Sequence, residues 1–383
     1  MDNIAGQRAG LNWAVNLAVF AMVVLWLIPT VGLLVSSFRD RDQISQSGWW
    51  VAPLPVELAF RSRIPADGQV EQEGIYVIEG NVFADPAHVR WFADGTGTVT
   101  NFGVRGAAPA EFPAGSEAEL ARGGTLSIAA DGAFVMRNDT AFDRPTTIYF
   151  EARTPPRFTQ NNYRTVLLAD GMDRAFINTL TVTIPATVIP ILIAAFAAYA
   201  LAWMEFPGRA LLIAAVVGLL VVPLQLALVP LLNLHNQIGI GQSFLGIWLA
   251  HTGFGLPLAI YLLRNYMVGL PRDIIESAKV DGATDFQVFV KIVLPLSFPA
   301  LASFAIFQFL WTWNDLLVAK VFLPSDADSR VMTVKIADDL LGSRGGDWGI
   351  LASAAFVSIA VPLLVFFTLQ RYLVRGLLAG SVK

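Results

Sequence analysis

The chain has 383 residues, of which 55% are hydrophobic and 15% are charged, and its formal net charge is −4. This composition is too apolar for an ordinary soluble fold, so many side chains are expected to lie in a lipid bilayer. The sequence contains no cysteine, which excludes disulfides, cysteine-ligated metals and thiol catalysis, and no run of Lys or Arg indicates a nucleic-acid partner.

The first apolar window runs roughly from Leu11 to Val35. A helix needs about 20 apolar residues to cross a hydrocarbon core about 30 Å thick, so this window is long enough to span a membrane. It lacks a small-residue cleavage site and is longer than the core of a signal peptide. Residues 1–38 are therefore predicted to be a cytoplasmic N-terminus and a first transmembrane helix, retained as an anchor.

Residues 39–174 are polar and are predicted to form a small β-rich domain inserted between the first two transmembrane helices. Short runs rich in β-branched and aromatic residues alternate there with turn formers, as strands do. These runs are Ile75–Phe83, Thr96–Val104, Thr125–Arg137 and Thr146–Ala152. Ala130-Asp131-Gly132 predicts a hairpin turn between two strands, because Asp-Gly accepts a positive φ at little cost. The domain could dock an external partner, or it could serve as a passive spacer or stabilising cap, and the sequence leaves these alternatives open.

Further apolar windows follow in the remaining part of the chain, residues 175–383. They are Ala175–Trp203, Ala210–Leu232, Phe244–Leu263, Leu296–Ala319 and Trp348–Leu369. Several contain proline, which a membrane helix tolerates where neighbouring helices satisfy the freed carbonyls. The alanine-rich tract 194–200 predicts close approach of another helix, either within a bundle or at a subunit interface. The fold class predicted is an all-α polytopic membrane protein with six transmembrane helices and a β-rich insertion.

The segment Leu270–Pro295 lies between the fourth and fifth windows and predicts a helix-turn-helix. Pro271 suits the first position of a helix that runs to about Asp281, and Gly282 stops that helix. Thr284 and Gln287 have the spacing of a capping box for a second helix, which Pro295 is expected to end. A bent amphipathic pair of this kind could be a coupling element or an ordinary interfacial pair, and the residues alone do not decide.

Asn314 and Asp315 lie near the end of the fifth window, where a charged side chain is costly and marks a candidate site. A packing or external-gate role is favoured over a proton relay, because the spans contain no chain of further acids. His235 and His251 are isolated and are predicted to be ordinary polar fillers rather than ligands.

Lys and Arg in the short connections favour an orientation with both termini in the cytoplasm. The inner connections would then hold most of the basic residues, whereas Asn233–Gln242 holds none. In this topology the insertion 39–174 is periplasmic, and residues 270–295 lie at the cytoplasmic face of the inner membrane together with the C-terminal tail, residues 371–383.

The 270–295 segment resembles the EAA loop of ATP-binding-cassette (ABC) importer permeases. The family pattern is Glu-Ala-Ala, three residues, Gly, nine residues, Ile, one residue and Leu-Pro. The chain reads Glu276-Ser277-Ala278, Gly282, Ile292 and Leu294-Pro295, so that only Ser277 departs from the pattern.

Other segments are similar to the maltose-type carbohydrate importer permeases. They are Phe158–Tyr163, Phe176–Leu180, Ala198–Leu201, Phe206–Arg209 and Gln370–Lys383. The large insertion departs from the better-known member of that type and resembles the α-glucoside permease subgroup.

This resemblance implies alternating access driven by separate ATPase subunits that push on the EAA loop. It implies roles for Glu276 as a polar anchor, for Gly282 as a close-contact bend, and for Ala278 and Ala283 as small docking positions, with Ser277 and Asp281 in the same loop. The implied partners are a second homologous permease, a dimer of ATPases and an extracytoplasmic sugar-binding protein. ATP and Mg would bind to the ATPases, and no cofactor, metal or catalytic residue is expected in this chain.

The external connection from about Pro324 to Asp347 resembles the loop that this family inserts into the cleft of the binding protein. Its glycines, Gly342, Gly345 and Gly346, are therefore candidate contacts with that protein. The same glycines also suit a flexible connector, and the sequence leaves this alternative open.

Two other kinds of function compete with a sugar importer. One is an ABC importer for another solute. The other is a proton-coupled secondary transporter, which only Asp315 supports. A receptor would need a sizeable cytoplasmic domain, and the inner segments are short. The sequence has no P-loop pattern, so another chain must hydrolyse ATP and this polypeptide is not expected to be an enzyme.

Overall fold

The structure is a computed structural model that describes residues 9–92, 94–340 and 347–379. The chain divides into two compact units. One comprises Met1–Asn162 with Asp347–Ala352, and the other comprises Tyr163–Gly346 with Ser353–Lys383. The first unit contains a long apolar helix and a β domain, and the second contains most of the remaining helices.

The first unit begins with helix α1 (Ala9–Ser37), which covers the first predicted window. Almost all of its described side chains are exposed within the unit, including large apolar ones such as Trp26 at 77%. A helix with this surface is suited to lipid rather than to water. A short helix, α2 (Arg41–Gln46), follows and leads to the β domain.

The strands within the described residues form two antiparallel sheets, which confirms the predicted β-rich domain. The bounds are β1 (Val56–Ile64), β2 (Val70–Gln72), β3 (Ile75–Asn81), β4 (Thr98–Gly103), β5 (Phe112–Pro113), β6 (Glu117–Glu119), β7 (Thr125–Ile128), β8 (Ala133–Asn138) and β9 (Thr146–Thr154). One sheet has the order β1-β9-β4-β5 and the other has the order β2-β3-β8-β7-β6.

The predicted hairpin turn is confirmed. Strands β7 and β8 pair antiparallel around Asp131-Gly132, and Gly132 has a φ of +83°. The longest pairing, between β1 and β9, joins Val56 to Thr154 and Ile64 to Thr146. Strand β1 was not among the predicted runs, although its alternation of polar and buried residues is typical of a strand with one buried face.

The core of the β domain takes alternate side chains from both sheets. Phe102, Leu126, Met136 and Phe150 are fully buried in it. Turns after β3 add Phe83 and Phe92, whose rings lie 4.4 Å apart between centroids. Inward side chains that repeat every second residue are what a strand with one buried face requires.

Arg39 is buried between α1 and α2 and forms hydrogen bonds there. Its guanidinium donates to Gln43 O at 3.0 Å and to Ser47 O at 3.0 Å, the carbonyls at the C-terminal end of α2, where a cation is favoured. Asn162 Nδ2 donates to Ser37 O and Arg39 O, each at 2.9 Å. The segments that enter and leave the β domain are therefore held together by hydrogen bonds.

The helices after the β domain have the following bounds. They are α3 (Asn161–Leu167), α4 (Met172–Trp203), α5 (Arg209–Leu219), α6 (Leu224–Gln237), α7 (Phe244–Val268), α8 (Arg272–Val280), α9 (Asp285–Val288), α10 (Leu294–Leu296), α11 (Phe298–Trp313), α12 (Leu317–Phe322), α13 (Met332–Lys335) and α14 (Trp348–Ala379). Phe289–Val293 and Ile336–Leu340 are π-helical turns.

In the described part of the chain, α1, α4, α7 and α14 are each long and apolar enough to cross a membrane alone. Two other predicted windows are not single straight helices. The window 210–232 is broken between α5 and α6, which meet at 109°, with Pro223 at the start of α6. Proline has no N–H to continue the first helix and suits the beginning of the next.

The fifth window also differs from its prediction. Helix α11 ends at Trp313 rather than at Ala319, because Asn314 Nδ2 bonds back to Leu310 O at 2.9 Å and Asp315 caps α12. At its beginning, Pro295 does not end the helix as predicted. It lies within α10, directly after the π-helical turn, and the bend of 69° follows at Ser297. The wide π turn accommodates the proline ring.

The alanine-rich tract of α4 packs within the chain. Ala194, Ala195 and Ala198 are buried against α7, where Ala259 and Leu263 are also fully buried. Small side chains let the two backbones approach closely, which is how membrane helices associate. Of the two alternatives that the sequence left open, the structure shows contact within the bundle.

His88 is buried in the core of the β domain beside Asp85. The ring of His88 lies 5.1 Å from Phe60 and 5.5 Å from Phe150 between centroids. Burial lowers the pKa of His88, although the Asp85 carboxylate opposes this effect. Burial alone would raise the pKa of Asp85, but hydrogen bonds from Ala87 N–H and Ser62 and the nearby His88 outweigh it and lower that pKa.

The stability of the β domain should therefore fall as the pH is lowered from about 7 to about 5. The unfolded chain binds a proton at His88 near the ordinary pKa of about 6.5, whereas the folded domain resists it, so acid favours unfolding. Urea unfolding of the whole protein in lipid nanodiscs, followed by near-UV circular dichroism, measures this slope. His88→Gln should flatten it over the same range, and an equal slope in both proteins would contradict the assignment.

Candidate functional site

The segment predicted to couple the chain to a partner forms a helical hairpin of α8 and α9. Helix α8 begins after Pro271, which occupies the N-cap rather than the predicted first helical position. Gly282 N donates to Lys279 O at 3.1 Å and Ala283 N donates to Ala278 O at 3.0 Å. This pair of bonds is a Schellman motif, and it requires the left-handed backbone of Gly282, whose φ is +86°.

The start of α9 is fixed by the predicted capping box. Gln287 N donates to Thr284 Oγ1 at 3.3 Å, and Thr284 N donates to Gln287 Oε1 at 2.9 Å. An ion pair of 2.9 Å between Lys279 Nζ and Asp285 Oδ1 bridges the two helices. Tyr199 OH of α4 donates to the same carboxylate at 3.3 Å. The turn is thus held by backbone and side-chain bonds together.

The hairpin has an inner side that packs on the bundle. Ile275 is 2% exposed and lies with Val288 and Phe289 in an apolar cluster that includes residues of α4, α7 and α11. Ala278 and Ala283, predicted as small docking positions, are half-buried against this same cluster. Their small side chains therefore serve the packing of the hairpin onto its own chain.

The outer side of the hairpin is open and mixed in chemistry. Glu276, Ser277, Asp281 and Gly282, the other residues of the predicted coupling loop, are exposed. A Cβ at Gly282 would meet no atom of the chain within 4 Å. Apolar side chains are exposed on the same short element: Ile274 at 46%, Val280 at 87% and Phe286 at 64%. Exposed apolar groups beside acids and a bare glycine backbone are typical of a protein-binding surface.

Asn314 and Asp315 lie at the break between α11 and α12. Asp315 Oδ2 accepts from Ala319 N at 3.0 Å, and Asp315 O accepts from Thr333 Oγ1 at 2.6 Å. Nε2 of the fully buried His251 lies 3.8 Å from Asp315 Oδ2. The sequence did not predict this approach of His251, because residues 64 positions apart gave no local signal. The site is a helix cap that connects α7, α11, α12 and the residues beyond.

The connection after α12 is bound to the beginning of α4. Arg174 forms an ion pair with Asp328, and Asn178 Nδ2 donates to Asp328 O at 2.6 Å and to Arg330 O at 3.0 Å. Met332 N donates to Thr179 Oγ1 at 2.9 Å. This part of the connection is therefore held to the bundle. The candidate contacts Gly342, Gly345 and Gly346 lie outside the described residues.

The described residues can be examined for a catalytic triad and for a metal site. In the β domain, Ser62 Oγ and Asp85 Oδ2 approach the same ring nitrogen of His88, at 3.0 and 3.9 Å. A nucleophilic triad needs the acid on the other nitrogen, so this cluster is a buried polar contact. No group of three or more His, Asp or Glu side chains among the described residues is arranged to hold a metal ion.

Comparison with known proteins identifies the family. Residues 174–378, more than half of the chain, match the family model described as binding-protein-dependent transport system inner membrane component. The alpha-glucoside transport system permease protein AglG of Rhizobium meliloti (strain 1021) is 58% identical over 385 residues, 98% of each chain. The osmoprotective compounds uptake permease protein GgtD of Synechocystis is 58% identical over 62% of this chain and 79% of its own length.

A solved structure also matches part of the chain. It is a bacterial ABC transporter involved in the import of the acidic polysaccharide alginate, 22% identical, covering 57% of this chain and 81% of that chain with a TM-score of 0.47. The family model and the match to AglG along nearly all of both sequences agree with the resemblance that the EAA loop carries. The chain belongs to the family of binding-protein-dependent transport system inner membrane components.

Proposed function

We propose that this chain is a permease subunit of an ABC importer for α-glucosides. The observation that carries the proposal is the 58% identity to the alpha-glucoside permease of Rhizobium meliloti, which extends through 98% of both chains and so includes the β domain. The trehalose permease SugB of Mycobacterium tuberculosis, 37% identical over 63% of this chain, agrees with a sugar as the solute. The chain forms a path for the solute and has no catalytic residues of its own.

The proposed fold has six transmembrane helices of the type I importer kind. Helices α1, α4, α7 and α14 are four of these, and each bent pair, α5 with α6 and the helices from Asp285 to Trp313, counts as one more. With both termini in the cytoplasm, the α8–α9 hairpin lies at the cytoplasmic face of the inner membrane and the β domain lies in the periplasm. The basic residues of the short connections support this orientation.

Three partners complete the proposed importer. A second homologous permease faces this chain, a dimer of ATPases binds ATP and Mg, and a periplasmic binding protein delivers the sugar. Glu276 and Asp281 offer carboxylates to the ATPase, and Ile274, Val280 and Phe286 offer apolar surface that is otherwise left in water. Closure of the ATPases would move the hairpin, and the packed Ile275 would carry that movement into the bundle.

Residues of the outer half of the bundle have supporting roles in this proposal. Asp315 and Asn314 hold the break between α11 and α12 and contribute to packing at the external gate. Gly342, Gly345 and Gly346 are proposed contacts with the binding protein, as the family resemblance implies. A proton relay through Asp315 is disfavoured because its carboxylate caps the backbone of α12.

The function is tested with the assembled importer in lipid nanodiscs. Its ATPase rate should rise when the binding protein is supplied with maltose or trehalose, both α-glucosides, and should stay at the basal level with the binding protein alone. Lactose, a β-galactoside, serves as the control sugar. If another solute raises the ATPase rate and no α-glucoside does, α-glucosides are rejected as the substrate.

Gly282→Asp should uncouple ATP hydrolysis from uptake. Aspartate would be strained at a φ of +86° and would add a charged side chain to the exposed bend. Membrane insertion should persist, while α-glucoside uptake by reconstituted vesicles should fall by about tenfold or more relative to the ATPase rate.

Gly239→Asp is the matched control for that variant. Gly239 has a φ of +82° and, like Gly282, open space around it, but it follows α6 rather than α8. The backbone strain is therefore similar while the hairpin is unchanged. Equal uncoupling in both variants, or normal transport by Gly282→Asp, would remove the role assigned to the hairpin.

Thr284→Ala should weaken coupling without abolishing it. Loss of the N-cap hydroxyl should destabilise the start of α9 by about 1 kcal/mol. Amide hydrogen exchange in residues 285–288 should become faster, and coupled uptake should fall in parallel. Thr284→Ser keeps the hydroxyl and should restore both measurements, whereas faster exchange with unchanged uptake would show that the cap serves stability alone.

A further inference from the structure

Proline residues inside the long helices of the second unit leave particular carbonyls without their usual donor. In an α-helix the N–H of residue i donates to the carbonyl of residue i−4, and proline has no N–H. Pro185 and Pro190 lie within α4, and Pro362 lies within α14. The carbonyls that they free are those of Thr181, Ala186 and Ser358. In a bilayer such a group needs a donor from the protein.

Each of these carbonyls accepts an N–H from a side chain on another helix. Trp248 Nε1 of α7 donates to Thr181 O at 2.9 Å. Gln308 Nε2 of α11 donates to Ala186 O at 3.1 Å, and Trp313 Nε1 of α11 donates to Ser358 O at 2.8 Å. All three bonds thus end at the carbonyl four residues before a proline, the carbonyl that the proline leaves without a backbone donor.

Not every proline has such a donor. Pro230 in α6 and Pro257 in α7 would free the carbonyls of Leu226 and Gly253. Among the described residues, no side chain donates to either of these carbonyls. The donors are therefore a feature of α4 and α14 rather than a general consequence of proline in this fold.

The two donors of α11 are held in place by their surroundings. Gln308 is 2% exposed, and a Cβ on the neighbouring Gly255 of α7 would lie 2.7 Å from its Oε1, so the glycine makes room for the amide. Trp313 is 1% exposed and stacks on Phe309 at 5.5 Å between centroids. Neither side chain can leave its acceptor without disturbing the packed bundle.

Helix α11 is also the continuation of the proposed coupling element. The chain runs from α9 through the π-helical turn and α10 to α11, with Ser297 at the bend. Ser297 N donates to Val293 O at 2.8 Å and Leu301 N donates to Ser297 O at 3.0 Å, so backbone bonds persist through the bend. A movement of the hairpin would reach α11 first.

We propose that Trp248, Gln308 and Trp313 are positioning residues for transport, which hold the proline hinges of α4 and α14 by their free carbonyls. Through Gln308 and Trp313, α11 transmits movement of the α8–α9 hairpin to α4 at Pro190 and to α14 at Pro362. This inference rests on the proposed function for its link to transport, but the pairing of each donor with one proline can be tested separately.

A double-mutant cycle distinguishes this role from simple packing. Gln308→Met keeps the volume and removes the donor, so Ala186 O loses its partner. Pro190→Ala restores a backbone N–H that can donate to Ala186 O within α4. The maximal rate of maltose uptake by the assembled importer should fall about three- to tenfold in Gln308→Met, with little change in KM. In the Pro190→Ala background the same substitution should lower the rate less than about twofold.

A mismatched pair is the control. Pro362→Ala restores the donor for Ser358 O, so it should rescue Trp313→Phe. It should not rescue Gln308→Met. In the same way, Pro190→Ala should not rescue Trp313→Phe. The thermal midpoint of the purified complex should follow the same pattern, which keeps the test decisive if a variant transports nothing. Additive losses in the matched pairs, or equal rescue by either proline substitution, would overturn the proposal.

The proposed function and this inference fail in different ways. If Gly282→Asp transports normally, the coupling role of the hairpin is lost, while the matched rescue can still be read from the thermal midpoints. If the matched pairs show no rescue but Gly282→Asp uncouples, the coupling proposal stands and the donors contribute packing alone.

Discussion

The constraint on which the bundle depends is that a backbone carbonyl buried away from water must find a hydrogen-bond donor within the protein. In a long helix most carbonyls accept a hydrogen bond from a backbone N–H of the same helix. Each proline leaves the carbonyl four residues before it without such a donor. Thr181, Ala186 and Ser358 show how the chain resolves this, since side chains from α7 and α11 complete bonds that the helices cannot. At these prolines the chain thereby forms specific contacts between helices.

The α8–α9 hairpin applies the same rule at a turn exposed to solvent. Its Schellman motif and capping box satisfy the carbonyls and N–H groups at the ends of two short helices, so the bend keeps its shape without a large core. Ile275, Ala278 and Ala283 secure one side to the chain, which leaves acids, apolar side chains and the bare backbone of Gly282 on the other. A stiff element with one free side is suited to receive force from a partner.

The β domain is built on a different principle. Its aqueous setting lets outward side chains remain polar, and stability comes from aromatic and aliphatic groups of both sheets packed in one core. The long β1–β9 pairing brings the two ends of the domain together, and Arg39, Gln43 and Asn162 secure those ends with hydrogen bonds to backbone groups. The domain can therefore be inserted into a chain of membrane helices without separating the segments on either side.

The sequence by itself determined the apolar windows, the β-rich insertion, the Asp131-Gly132 hairpin and the cap, bend and capping box of residues 271–287. These features are encoded locally, by hydrophobic length, by alternation and by residues with particular backbone preferences. Only the tertiary structure decided the broken helices at Pro223 and Ser297, the approach of His251 to Asp315 and the donors for the proline carbonyls. The approach of His251 and the donors depend on residues far apart in the chain, whose meeting is set by packing between helices and leaves no periodic signal in the sequence. The breaks at Pro223 and Ser297 have local causes, but a proline can be tolerated within a membrane helix or can end it, and only the structure shows which occurs.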